Sequence, residues 1–368
     1  MALSNIINRG TNILAWFDFK PQSTCVVNCQ ISKGLSDYLT SKGLKIVNAK
    51  EENYKYAILT TASSNISEEI RRYHQSIDPD GAVFVIAENL APRALEAIKI
   101  NTGIPCHVYI PYPDVWDVIQ IFEESHMPSH DELRDILPFK SASKIRNPRL
   151  LVFYKTEPAE LMRTVKFNEH RGRKFRINTY VMESRAGLRV IKRAANPESV
   201  EHLRKIVSNQ EILQRSYNSI VLAGCRSIGE GMLEFPYVDG CSLIAGTNVA
   251  SDPIEKIKAD LDNALKPILD YDPRQVTNLD CDIDNFKAVG DKVVCIDYEW
   301  VTRQHVPVAF ARFRAVYHFY YLNKNVLTYR INQGAFLKMF GFSAFQQFNY
   351  RLKELVLQLR IRGILPMK

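Results

Sequence analysis

The sequence has 368 residues, 46% of them apolar and 24% charged, which excludes a disordered or fibrous chain and a single small module and predicts two or three domains. Forty-eight basic against 40 acidic residues leave +8 at pH 7. That excess favours anionic partners (nucleotides, phosphorylated glycans, nucleic acid, acidic lipid) without choosing among them.

From residue 12 to 110, short β-rich runs alternate with helical patterns. CVV (25–27), LKIV (44–47), YAILTT (56–61) and AVFVIA (82–87) read as strands, and Ile66 to Ile77 reads as a helix between them. Strand and helix in alternation predict a mostly parallel α/β sheet. Tyr109 to about Pro148 is polar and proline-containing and reads as a connector, so a first domain is expected over 1–148 and a second over 149–368.

In the second domain LLVFYKT (150–156), FRINTYVM (175–182) and LRVIKR (188–193) read as strands, the first two flanking a basic turn, NEHRGRK (168–174). Asn196-Pro197-Glu198 is an N-cap, a first-turn proline and a first-turn acid, and predicts a helix to about Gln214. MLEFPYVDG ends in a turn, and Asp252-Pro253 starts a helix through Ile268 with Ile254, Ile257, Leu261, Ala264 and Leu265 on one face. Two strands bracket a turn near Gly290, and the chain from Pro307 is mainly helical.

The seven cysteines form no C-x-x-C pair, and no histidines stand at zinc-ligand spacing. Neither a metal knuckle nor a disulfide framework is expected, and a reducing, cytoplasmic setting fits. The first twenty residues lack the apolar run of a secretory signal. Val306 to Leu322 is interrupted by Arg312, Arg314 and His318, which argues against a bilayer-spanning helix.

The most informative stretch is Asn278-Leu279-Asp280-Cys281-Asp282-Ile283-Asp284-Asn285, followed by the apolar run that ends at Asp297. Phosphoryl transfer from ATP needs a carboxylate near the attacking hydroxyl and oxygen ligands that hold Mg²⁺ against the phosphates. Asp280 and Asn285 have the spacing of a kinase catalytic base and metal-binding Asn, and Asp297 stands where the second metal ligand is expected. Lys192 closes the strand Val190-Ile191-Lys192, where a kinase places the lysine that grips the phosphates. Glu201 is the first candidate for its helical partner and Glu211 the second. The adenine would meet the segment from Glu234 through Tyr237 to Val238, through backbone groups.

With these motifs, the sequence resembles the kinase-like phosphotransferases related to choline kinase and the aminoglycoside phosphotransferases. More narrowly it resembles bacterial surface-polysaccharide proteins in which a methyltransferase-like domain precedes such a domain. The resemblance rests on YIPYPD (109–114), VKFNEHRGRKFRINT (165–179), EFPYVDGCSL (234–243), NLDCDIDN, IDYEW, and Pro307 with FRAVYHFYY (313–321). It implies a Rossmann-like α/β domain of degenerate methyltransferase type. Behind it stands an α+β two-lobed protein-kinase-like domain, N-lobe about 149–238 and C-lobe about 239–368. It further implies an ATP- and Mg²⁺-dependent kinase acting on a saccharide or lipid-linked glycan hydroxyl. In that reading Asp280 is the base, Asn285 and Asp297 are metal ligands, and Lys192 anchors the phosphates. A glycosyltransferase partner is possible on the alternative reading of a pseudokinase scaffold, no nucleic acid is expected, and membrane contact is at most peripheral.

The sequence departs from the pattern in three places. Asn278 replaces the usual histidine two positions before the base. The glycine-rich phosphate loop becomes His170-Arg171-Gly172-Arg173-Lys174, so Arg171 and Arg173 either replace backbone amides at the phosphates or form an ordinary solvated turn. In the first domain Gln30 and Ile31 stand where S-adenosylmethionine binding needs glycine and only Gly34 remains, so fold without cofactor is expected. Asp282 and Asp284 read as solvated loop carboxylates, Trp300 as core, His305 and His318 as packed, and Arg312 and Arg314 as salt-bridged within the helical lobe. The C-terminal stretch FNYRLKELVLQLRIRGILPMK reads as a helix packed on its lobe, with contact to an acidic membrane surface as the lesser reading.

Overall fold

The computed structural model describes residues 12–28, 33–47, 54–60, 65–112, 118–126, 148–272, 274, 276–303 and 306–365. The chain divides into two compact units. The first holds the described residues up to 126 together with 148–167 and 179–187; the second holds 168–178 and everything from 188 onward.

The first unit has strands β1 (Thr24–Asn28), β2 (Lys45–Val47), β3 (Tyr54–Thr60), β4 (Ile77–Ala87), β5 (His107–Tyr112), β6 (Gln120–Glu123), β7 (Arg149–Tyr154) and β8 (Glu160–Lys166). Its helices are α1 (Lys33–Ser41), α2 (Ile66–Ser76) and α3 (Pro92–Thr102). The spatial order is β8-β6-β5-β7-β4-β3-β1-β2. The expected parallel sheet is realised only where a helix or long crossover returns the chain: β1 is parallel to β2 and β3, and β3 to β4. β7 pairs antiparallel with both β4 and β5. β5 therefore keeps the direction of β4, as a crossover through α3 requires, while a strand from much later in the chain separates them. The sheet is mixed rather than mostly parallel.

Two sequence expectations change here. The segment read as a connector supplies the end of β5 and all of β6, two paired strands of the sheet; residues 127–147 lie outside the described residues. The strand expected to open the second domain is β7, interior to the first unit, and Leu150, Leu151, Val152 and Phe153 are fully buried there.

Side chains on β3 and β4 alternate between two cores, as pleated strands must. Ala57, Leu59, Val83 and Val85 pack with Ile70 and Tyr73 of α2 and Leu95 and Ile98 of α3. Tyr56 and Phe84 face the other way, against Phe17 and Phe19, with ring centroids 4.8 to 5.8 Å apart. The degenerate cofactor loop at 29–32 lies outside the described residues, as does His305.

β9 (Ile177–Ser184) pairs with β8. The second unit has strands β10 (Gly187–Ala194), β11 (Ile220–Leu222), β12 (Arg226–Gly229), β13 (Met232–Pro236), β14 (Cys241–Ser242), β15 (Thr277–Asn278), β16 (Phe286–Val289), β17 (Lys292–Cys295) and β18 (Val301–Thr302). Its helices are α4 (Val200–Ser216), α5 (Ile254–Ile268), α6 (Val308–Leu322), α7 (Lys324–Leu327), α8 (Gln333–Met339) and α9 (Ala344–Ile361). The expected Asn196 cap is present: its side chain accepts from the Glu198 N–H at 3.0 Å, a capping box with Ser199 completes it, and one short turn precedes α4. β16 and β17 form the expected hairpin, and Gly290 at φ +61° supplies the left-handed turn residue. One core joins Leu203, Ile206 and Leu213 of α4, the predicted apolar face of α5, and Phe313, Val316 and Phe319 of α6. Among the described residues no helix is long and apolar enough to cross a membrane.

Candidate functional site

The β16–β17 hairpin fixes the site because the end of its ladder away from the turn is buried: Phe286 and Cys295 pair in register there and are fully buried. One step further, the Ile296 N–H donates to the Asn285 carbonyl at 2.8 Å. Asn285 therefore stands beside the residue that precedes Asp297. Its side-chain Nδ2 donates to the Asp280 carbonyl at 3.2 Å, so the three residues of the predicted catalytic segment share one hydrogen-bonded corner.

Lys192 reaches this corner from β10. Its Nζ lies 2.7 Å from Asp297 Oδ1, 5.4 Å from the centroid of the Phe235 ring, and the residue is 4% exposed. Burial disfavours the ammonium, but the charges of Asp297 and Glu299 outweigh it and raise its pKa. The lysine is a fixed cation.

Asp280 is held at both ends. Its N–H donates to Asn278 Oδ1 at 2.9 Å, and the Trp300 N–H donates to its Oδ2 at 2.9 Å. Asn278 is thus a buried clamp on the backbone of Asp280, with its Nδ2 3.8 Å from the Cys295 sulfur. Burial, then the charges of Asp297 and Glu299, pushes the Asp280 carboxyl well above the ordinary carboxylate range. These surroundings raise the proton affinity of the Asp280 carboxylate.

Glu299 was not singled out in the sequence, and the structure makes it a hub. It is buried, accepts from Arg171, and accepts from His202 Nε2 at 2.8 Å. Burial opposes its charge, yet Arg171, His202 and Lys192 together hold it well below the ordinary range. The Arg171 guanidinium also lies 5.5 Å from the centroid of the Trp300 ring. Trp300 is core, as expected, with Phe175 and Ile361. Arg171 is steered by its neighbour: the Gly172 N–H donates to the Ile361 carbonyl at 2.9 Å, and a Cβ on Gly172 would sit 2.9 Å from the Gly363 Cα. Only glycine lets the basic turn lie this close to the end of α9.

Glu201, Glu211 and Arg173 do not make the contacts expected of them. Glu201 does not hold Lys192; its side chain is 63% exposed beside Arg204. Glu211, the second candidate, is 81% exposed beside Arg215. α4 presents the next residue, His202, and presents it to Glu299. Arg173 points to Glu198 at the surface instead of the acidic corner. Glu234 is tied by Arg189 and Arg226, which lower its pKa, and Tyr237 is 44% exposed. Asp282 is no free loop carboxylate either: it lies 2.8 Å from His318 Nδ1, while His318 Nε2 lies 3.0 Å from Glu354. Arg312 pairs with Asp262 and Arg314 with Glu354, the internal salt bridges expected of them.

The donor set suits one metal. Asn285 and Asp297 offer hard oxygens, and Asp297 Oδ1 alone is taken by Lys192. Mg²⁺ typically uses one or two such ligands and completes its shell with water and phosphate. Among the described residues no group of three or more His, Cys, Asp or Glu is placed to hold a metal by itself.

No protein-family model matches the chain, and no curated protein matches it. Solved structures similar to parts of it include a precorrin 8w decarboxylase from Methanobacterium thermoautotrophicum (12% identity, 39% of this chain and 87% of that one, TM-score 0.24). A precorrin-6y C5,15-methyltransferase from Geobacter metallireducens is similar at 8% identity over 39% of this chain and 85% of that one, TM-score 0.22. The Rio2 kinase–ADP/Mg²⁺–phosphoaspartate complex from Chaetomium thermophilum is similar at 12% identity over 54% of this chain and 71% of that one, TM-score 0.27.

Proposed function

We propose that the second unit is a Mg·ATP-dependent phosphotransferase acting on a hydroxyl of a saccharide or lipid-linked glycan, in the making of a cell-surface polysaccharide at the cytoplasmic side of the membrane. The observation that supports it most is the convergence of Lys192, Asp280, Asn285 and Asp297, which the sequence spacing singled out, on one half-buried corner. Lys192 and Arg171 are the cations available to phosphate oxygens, once each releases its present carboxylate. Asn285 and Asp297 would hold Mg²⁺, whose charge offsets that of the transferring phosphoryl group. Asp280 keeps Oδ2 on the Trp300 amide and takes the acceptor proton at Oδ1. Transfer then rests on positioning and charge neutralisation without a covalent intermediate.

A thermal-shift titration of the whole chain tests this. Mg·ATP at a hundred times its Kd should stabilise by about 2.7 kcal/mol, ATP without Mg²⁺ by much less, and Asp297→Asn should remove the Mg²⁺ dependence. Equal shifts with and without Mg²⁺, or none, overturn it. The second reading is a pseudokinase scaffold that binds a glycosyltransferase or an acidic glycan. The specific observation in its favour is that both phosphate-site cations are already neutralised internally, Lys192 by Asp297 and Arg171 by Glu299, with no glutamate from α4 to compete for the lysine.

A further inference from the structure

A cavity of about 430 Å³ opens beside Asp282 between α6 and α9, within the second unit. That volume is within the range of about 300–1,000 Å³ typical of small-molecule sites. Its floor is a chain of charges. Asp282 and Glu354 are the carboxylates, and the His318 ring stands between them with one nitrogen on each, at 2.8 and 3.0 Å. Arg314 backs Glu354 at 2.6 Å. With an acid at each nitrogen the imidazole is protonated, its pKa driven up to about 10 by Asp282 and Glu354 against the burial that lowers it. Two anions and two cations thus cancel on the floor.

The cavity wall carries two more cations, Arg351 and Arg362. Among the described residues neither has a carboxylate partner. The lining itself therefore carries a charge of about +1, and with Arg314 behind Glu354 the cavity and its backing carry about +2. The lining also includes Tyr317 and Tyr321, whose rings lie nearly parallel, 6.4 Å between centroids and 12° between planes. Aromatic rings with hydroxyl tips offer a ligand both apolar area and hydrogen-bonding groups. Asp282 belongs both to this wall and to the loop of Asp280, two residues upstream.

We propose that this cavity binds the acceptor through an anionic group, a phosphate or carboxylate on a sugar-sized ligand, drawn in by the charges of Arg351 and Arg362 and packed against Tyr317 and Tyr321. The inference rests on the phosphotransferase reading for the word acceptor; the recognition of an anionic sugar stands on the cavity alone. Guanidinium forks suit both anions, so the two sources are separated by experiment.

The whole chain, without nucleotide, is titrated calorimetrically with glucose 6-phosphate, glucuronate and glucose. The phosphate or the carboxylate sugar should bind, glucose roughly tenfold more weakly or not at all, and the stronger of the two anions names the group. Arg351→Gln with Arg362→Gln, both on the exposed side of α9 and its end, should weaken that binding at least about tenfold, and salt should weaken the unsubstituted chain. Equal binding of glucose, no binding of either anion, or an unchanged affinity in the double variant overturns the inference. The Mg·ATP thermal shift on the same samples separates the two claims. A chain that shifts with Mg·ATP and binds neither anion keeps the phosphotransferase and loses the cavity; one that binds the anion without that shift keeps the cavity and loses the phosphotransferase.

Discussion

Asp297 has two jobs in this structure, metal ligand by expectation and counter-ion of Lys192 by geometry. The second job governs how it can be mutated. Removing it leaves an ammonium that is 4% exposed without its partner, which costs about 3–5 kcal/mol for a buried pair. Lys192→Met should cost less, since the Asp297 side chain is 33% exposed and water can take the carboxylate. Urea unfolding should show Asp297→Ala well below Lys192→Met, with the double variant recovering most of the loss; additive losses would mean that the two side chains do not depend on each other. This is why Asn, not Ala, is the informative replacement in the nucleotide titration. The four residues of the corner were legible as neighbours because their spacing matches the pattern that phosphoryl-transfer chemistry would require. Glu299 was not, because nothing in the spacing requires it. The error at Glu201 was avoidable: Leu203, Ile206 and Leu213 mark the buried face of α4, and at about 100° per residue His202 adjoins that face while Glu201 turns away.

α6 and α9 are joined by ions as much as by apolar contact. Arg314, His318 and Glu354 are all buried or nearly so, and the sequence pointed to a packed histidine and salt-bridged arginines without naming their partners. Helical pairing across α6 and α9 is a tertiary fact, so the partner Glu354 had no local signal. The pH response follows from the shifts. His318 is raised from 6.5 to about 10 by Asp282 and Glu354, so its contribution is complete below pH 6.5 and is lost as the pH rises through 10. Glu354 is lowered, chiefly by His318 and Arg314 against burial, so its contribution is complete above its ordinary 4.5 and is lost as the pH falls. The melting temperature of the natural chain minus that of His318→Gln should therefore be largest between about pH 5 and 6.5 and shrink steadily toward pH 10. A difference that grows with pH would mean the imidazole is neutral in the fold.

At the scale of the molecule, composition and strand rhythm showed a mixed α/β chain with more than one core, and the order of most elements was readable. The boundary was not. A change from polar connector to apolar strand near 148 looks like the start of a domain, yet β7 lies between β4 and β5. Strand order is decided by non-local pairing, which leaves no mark within a window of sequence. The chain then passes between the two units at 167, 178 and 187, so a cut at 148 divides a sheet. A fragment of residues 1–148 lacks Leu150, Leu151, Val152 and Phe153, all fully buried. At roughly 1.5–3 kcal/mol for each large buried side chain, that loss is comparable to the 5–15 kcal/mol that holds a typical domain together. It also leaves β4 and β5 as facing unpaired edges, which invites aggregation. A fragment of residues 1–187 retains β7, β8 and β9 and every pairing of the first unit. It should give a monomer with a cooperative melt by circular dichroism, while 1–148 should be aggregated or unfolded at the same concentration. If 1–148 melts as cooperatively as 1–187, β7 is not an integral strand of the first unit.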